Sequence, residues 1–114
     1  MVAPTAGAVV LVPFPFSDLS QTKLRPALVL AEVDRRDWVL CQITSNPYGD
    51  ANAIELRGDS FQTGSLRVVS YARAGKLFTA NESLVVAQVG VLKAEALKGV
   101  IEAVIDILGA SINP

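Results

Sequence analysis

The sequence changes its hydrophobic period once, close to its end, and this change constrains the fold more than any other feature. From Ala94 to Leu108 the residues Leu97, Val100, Ile101, Val104, Ile105 and Leu108 recur at helical spacing, with Glu95, Lys98, Glu102 and Asp106 on the opposite face. Such a helix is roughly 22 Å long, enough to cover one side of a small domain. Gly99 weakens it by ~1 kcal/mol relative to alanine, and Gly109 stands where a C-cap glycine belongs.

Upstream of the helix the apolar runs are short and separated by turn residues, the pattern of strands. Ala8 to Pro15 is the first, and Pro13 and Pro15 put that end at a sheet edge or a bulge, because proline donates nothing to a ladder. Ser17 to Lys23 reads as a polar loop. Arg25 to Val33 and Trp38 to Thr44 form a hairpin across the polar turn Asp34 to Asp37. Ser45 to Asp50 is a loop with Asn, Pro, Gly and Asp together. Ala53 to Arg57 alternates, with Ile54 and Leu56 on one face, and Gly58 to Gly64 reads as another loop. Strands are expected at Leu66 to Ala72, Lys76 to Thr79 and Leu84 to Val89. Short strands followed by one late helix predict a mainly β chain with a C-terminal helix, a closed or half-closed barrel. The 114 residues suit one domain spanning 1–114.

Composition narrows the function. Hydrophobic residues make up 51% and charged ones 18%, enough for a full core and for a surplus of apolar surface that points to a partner. No apolar run is long enough to span a bilayer, the N-terminus lacks the basic region of a signal peptide, and Cys41 is the single cysteine. The expected compartment is therefore the cytoplasm. Cys41 falls inside an apolar strand and reads as an inert buried thiol.

With no histidine, the chain cannot build Ser-His-Asp or Cys-His nucleophile pairs, nor zinc sites that need His and Cys together. Glycine-rich nucleotide-binding stretches are absent too. Any chemistry must come from arginine, lysine, carboxylates, hydroxyls and backbone amides. At a net charge of −1, a site for nucleic acid must be a local cluster of cations.

Two segments then stand out. Gly7-Ala8-Val9-Val10-Leu11-Val12-Pro13-Phe14-Pro15-Phe16-Ser17-Asp18 leads through a loop to Lys23-Leu24-Arg25-Pro26-Ala27-Leu28-Val29-Leu30, and Leu40-Cys41-Gln42-Ile43-Thr44-Ser45 follows. Together with Ser70 to Thr79 and the final helix, they resemble the PemK/MazF growth-inhibitor toxins of bacterial toxin–antitoxin pairs over nearly the whole chain. The resemblance implies an SH3-like barrel of the CcdB/MazF type, a twofold homodimer, a cognate antitoxin partner, and cleavage of single-stranded RNA without metal or other cofactor. It carries the family's arginine onto Arg25 and its strand-end hydroxyl onto Thr44, with Ser45 beside it. Two positions depart from the pattern: Ala8 stands where many members have an acidic residue, and Ser20 where one branch has glutamate.

The chemistry suits these residues. When the ribose 2′-OH attacks the neighbouring phosphorus, charge grows on the non-bridging oxygens; a guanidinium can bind them in bidentate fashion and a hydroxyl can add a donor. Arginine is a poor proton shuttle, so the base is left open among Asp18, Tyr71 and a group from a second chain. Lys23, Arg73, Tyr71 and Asp18 are the expected RNA contacts, Tyr71 by stacking. Each has a plainer reading: Arg25 as a surface strand residue, Thr44 as a β-branched strand residue, Ser45 as a loop cap. A protein-binding toxin of the CcdB kind, or a barrel without nuclease activity, is the alternative.

Overall fold

Val9 and Leu28 face one another across the first two strands and both are fully buried, yet their neighbours Val10 and Ala27 are equally buried on the other face. A strand covered on both sides has no polar face, which is why Ala8 to Val12 is one continuous apolar run. A computed structural model describes residues 3–15 and 22–112 of the chain. It contains β1 (Ala8–Pro15), β2 (Thr22–Asp34), β3 (Asp37–Thr44), β4 (Ala53–Leu56), β5 (Phe61–Gly64), β6 (Ser70–Asn81), β7 (Ala87–Leu92) and α1 (Ala94–Gly109).

The strands form one sheet in the order β4-β6-β3-β2-β1-β7-β5, with antiparallel neighbours throughout. Its two edge strands, β4 and β5, end and begin at Leu56 and Phe61. Five residue steps reach at most about 18 Å, whereas the edges of a flat seven-stranded sheet lie roughly 29 Å apart. The sheet must therefore curl until its edges approach, and Leu56 and Phe61 share one core cluster with Val9, Leu28, Cys41 and Val100 of α1. A second cluster on the other face gathers Val10, Val12, Val29, Trp38 and Leu40. The half-closed barrel expected from the sequence is this curled sheet with α1 packed chiefly on β6.

Several boundaries differ from the sequence reading. Phe61–Gly64, expected as loop, is β5, because Phe61 is buried and Gly64 pairs with Gly90 of β7. Gly64 has φ +69°, and a Cβ there would collide with the Val89 carbonyl, so the close approach needs glycine. Ser65–Val69 is irregular, with Val68 and Val69 exposed, and the two strands expected at 66–72 and 76–79 are one, β6. The last strand runs further than expected, to Leu92, after a 3₁₀ turn at Glu82–Leu84. Pro13 pairs with Leu24 of β2 beyond the point where β7 stops pairing with β1, the edge position its missing N–H requires.

The helix also departs from the expectation at its end. It runs through Gly109 and closes on Ala110 in the right-handed conformation, so Gly109 is not a left-handed cap. Leu97, Val100, Ile101 and Val104 pack on the core, but Ile105 and Leu108 stay 60% and 62% exposed, off the face on which Ile107 between them lies against Gly75 of β6. No helix among the described residues is long and apolar enough to cross a membrane. Thr22 and Lys23, expected in the first loop, begin β2; Ser17, Asp18 and Ser20 lie outside the described residues.

Candidate functional site

β2 and β3 pair as Ala27 with Gln42 near one end, and continuing that register by two residues sets Arg25 beside Thr44. Arg25 and Thr44 share the sheet face of Ala27 and Leu40 but lie at the end of that core cluster, where Arg25 is exposed and Thr44 half-buried. Both line an open cleft of about 250 Å³ with Phe14, Pro26, Gln42, Ile43, Tyr48 and Arg73. Enclosed small-molecule pockets run to roughly 300–1,000 Å³, so this cleft is smaller and more open than they are. Both charged residues of the lining are arginines, and one of them, Arg73, is ion-paired with Asp50.

Arg73 reaches the cleft through an irregularity in β6. Ile43 pairs with Ala72 but Cys41 with Leu77, so two steps on β3 oppose five on β6, and Arg73 sits where the extra residues begin. Its Nε donates to Asp50 Oδ2 at 2.9 Å, with the two side chains 19% and 14% exposed. The guanidinium, and next the Asn52 N–H on the same carboxylate, hold the Asp50 carboxyl below its ordinary value. The pair fixes Arg73 while using only Nε among the described contacts, which leaves the Nη groups for a ligand.

Thr44 is tied into the next loop. Its Oγ1 accepts from the Asn46 N–H at 3.1 Å and donates to the Asn46 carbonyl at 3.0 Å. Asn46 Oδ1 in turn accepts from the Tyr48 N–H at 3.0 Å, and the Asp50 N–H closes the turn onto the Pro47 carbonyl at 2.9 Å. Its central residues, Tyr48 and Gly49, have φ +52° and +77°, the left-handed pair of a type I′ turn. Tyr48 is thereby held over the cleft with 77% of its surface exposed.

The other expected site residues are spread around this centre. Lys23 is exposed two residues before Arg25 and on the same strand face. Tyr71 is half-buried and pairs across the sheet with Thr44 and with Glu55, but does not line the cleft. Ser45 is exposed just past β3 and is also off the lining. Asp18 lies outside the described residues. Tyr48, Gln42 and Asp50 were not singled out by the sequence; an aromatic inside Asn46-Pro47-Tyr48-Gly49-Asp50 was the available signal for Tyr48. Cys41 plays no part here: burial pushes its thiol up to about 12.

A curled antiparallel sheet with one C-terminal helix, and an open arginine-lined cleft at the strand ends, defines the class: a small, mainly β, barrel-like protein. The chain belongs to the family described as the PemK-like, MazF-like toxin of type II toxin–antitoxin systems, whose model matches residues 5–108. Among solved structures it is similar to MazE–MazF from Deinococcus radiodurans, at 23% identity and a TM-score of 0.75, covering 96% of this chain and 98% of that one. It is also similar to an endoribonuclease in complex with its cognate antitoxin from a mycobacterial species, at 16% identity and TM-score 0.71, covering 96% of each chain. A third is the Mycobacterium tuberculosis toxin MazF-mt6, at 18% identity and TM-score 0.68, covering 89% of this chain and 95% of that one. At these identities the likeness is one of fold. No curated protein sequence matches the chain.

Proposed function

We propose that this toxin is an endoribonuclease that cleaves single-stranded RNA by attack of the ribose 2′-OH on the adjacent phosphorus. The 2′-oxygen forms a bond to phosphorus, the bond from phosphorus to the 5′-oxygen breaks, and the products are a 2′,3′-cyclic phosphate and a 5′-hydroxyl. One proton leaves the 2′-OH and one reaches the departing oxygen. The nucleophile belongs to the substrate, so the protein supplies position and charge rather than an activated water. Arg25 binds the non-bridging oxygens, and Arg73, fixed by Asp50, adds a second guanidinium. Thr44 contributes its hydroxyl proton by turning it from the Asn46 carbonyl to the phosphate while still accepting from the Asn46 N–H. Lys23 holds a flanking phosphate, and the base is drawn from Asp18, Tyr71 or a second copy of the chain.

The observation that carries this reading is the convergence of Arg25, Thr44 and Arg73 on one open cleft. The exposed apolar residues Val68, Ile105, Leu108 and Ile112 support protein partners, which we take to be a second copy in a homodimer and an antitoxin in the cytoplasm. An acidic, disordered antitoxin tail folding across the cationic cleft would block it. Induced expression tests the reading: wild type arrests growth and Arg25→Ala does not. If Arg25→Ala and Thr44→Ala both arrest cells as fully as wild type, the nuclease reading fails in favour of a toxin that acts by protein binding.

A further inference from the structure

Tyr48 is an aromatic ring left 77% exposed beside two guanidiniums, and the protein holds it there. The other aromatic on the lining, Phe14, is half-buried and packs edge-on against Phe78, with centroids 4.8 Å apart and planes at 74°. Tyr71 is half-buried and off the lining. Only Tyr48, among the described aromatics of the cleft, has an uncommitted face of useful area.

Its placement is unfavourable for the free protein on two counts: a large ring meets water, and a non-glycine residue holds φ +52°. The turn is nonetheless fastened at both ends to residues of the cleft. Thr44 Oγ1 anchors Asn46, whose side chain anchors the Tyr48 N–H, and Arg73 anchors Asp50. The backbone that carries the ring is therefore tied to Thr44 and Arg73 of the cleft.

We infer that Tyr48 is a nucleobase platform: the base next to the phosphate gripped by Arg25 stacks on its ring. The inference rests on the RNA-cutting reading above and adds the residue that positions the substrate. A π-face accepts every base, so this contact supplies affinity and register while leaving sequence choice to hydrogen bonds elsewhere in the cleft, where Gln42 stands. Phosphate contacts alone leave the nucleoside free to rotate about the backbone; a stacked base one unit away fixes the ribose for in-line attack.

The test uses a short 2′-O-methylated copy of a segment that wild type cuts, which binds without being cleaved, with 2-aminopurine placed in turn at each position flanking the cut. Wild type quenches the fluorophore at one flanking position. Tyr48→Ala abolishes that quenching and weakens binding roughly tenfold, and Tyr48→Trp restores both. An abasic nucleotide at that position weakens binding to wild type but makes Tyr48→Ala neutral. Tyr48→Gly, which suits the left-handed turn, melts at or above the wild-type temperature yet binds as poorly as Tyr48→Ala, separating stacking from folding. Unchanged binding and quenching in Tyr48→Ala, while wild type still cuts RNA, overturns the platform alone. A wild type that neither binds nor cuts RNA overturns the platform together with the reading it rests on.

Discussion

The molecule makes the same backbone turn twice, at opposite ends of β3, and uses it for different ends. At Arg35-Arg36 both residues are left-handed, with φ +51° and +68°, and the turn joins β2 to β3 as a two-residue hairpin. At Tyr48-Gly49 the signs are the same, but the turn lies in a loop beside the cleft. The hairpin turn is braced from β6 and the residue after it: Asn81 Nδ2 donates to the Arg35 carbonyl, the Glu82 N–H donates to the Arg36 carbonyl, and Glu82 accepts from Arg36 Nε at 3.0 Å and Trp38 Nε1 at 3.3 Å. The cleft turn is braced by Thr44 and Arg73, two of the residues that would touch substrate. Strain at the first turn closes a strand pair; strain at the second aims a ring. Position relative to the cleft, rather than backbone conformation, separates structure from function.

The largest contrast between the two ends lies in activity. Arg25→Ala lowers kcat for RNA cleavage about 10²–10³-fold, the loss expected of one missing transition-state donor, whereas Arg35→Ala and Arg36→Ala leave cleavage unchanged. Asp50→Ala falls between them, about tenfold down in kcat/KM, because Arg73 stays present but loses its orientation; an effect as large as that of Arg25→Ala would make Asp50 itself part of the reacting centre.

Stability reads the comparison the other way. Replacing Arg35 by Asn and Arg36 by Gly raises hairpin stability by about 1 kcal/mol in a denaturant titration, since left-handed non-glycine residues are relieved. Part of the gain is offset by losing the exposed Arg36–Glu82 pair, worth under ~1 kcal/mol, and activity is untouched. A double variant less stable than wild type would show that Glu82 and Asn81 outweigh the strain.

The smallest effect is one of pH. The Asp50 carboxyl is held below its ordinary 3.8 in the folded chain, so it stabilises the fold while ionised. That contribution is fully present above the unfolded value and is lost as pH falls through the lower folded one. Accordingly the difference in melting temperature between wild type and Asp50→Asn is constant above pH ~5 and shrinks below it. A difference that grew on acidification would contradict the Arg73–Asp50 contact.

Much of this fold was legible because periodicity reports burial. Leu97, Val100, Ile101 and Val104 marked the helix, and the apolar run from Ala8 marked a strand, which the structure covers on both faces. The reading failed where tertiary pairing overrides local pattern. Four residues with glycine at the end looked like loop at Phe61–Gly64, and pairing with Gly90, Val91 and Leu92 of β7 makes them a strand. Ile105 and Leu108 kept the helical period, yet they fall off the face that packs through Val100, Val104 and Ile107. In the site, Arg25 and Thr44 were named through the family resemblance, and the structure sets both on the lining of one cleft. Asp50 was not, since its partner Arg73 is 23 residues away and reaches it through an irregularity in β6. Tyr48 sat in a loop marked by Pro and Gly, and composition alone does not show which way a loop residue faces.

Digestion of a defined single-stranded RNA by purified wild type and Arg25→Ala, with both new termini mapped, tests the central claim most directly. The account predicts cutting by wild type that leaves 2′,3′-cyclic phosphate and 5′-hydroxyl ends, and almost none by Arg25→Ala. Intact RNA with wild type, or equal cutting by both proteins, would contradict it.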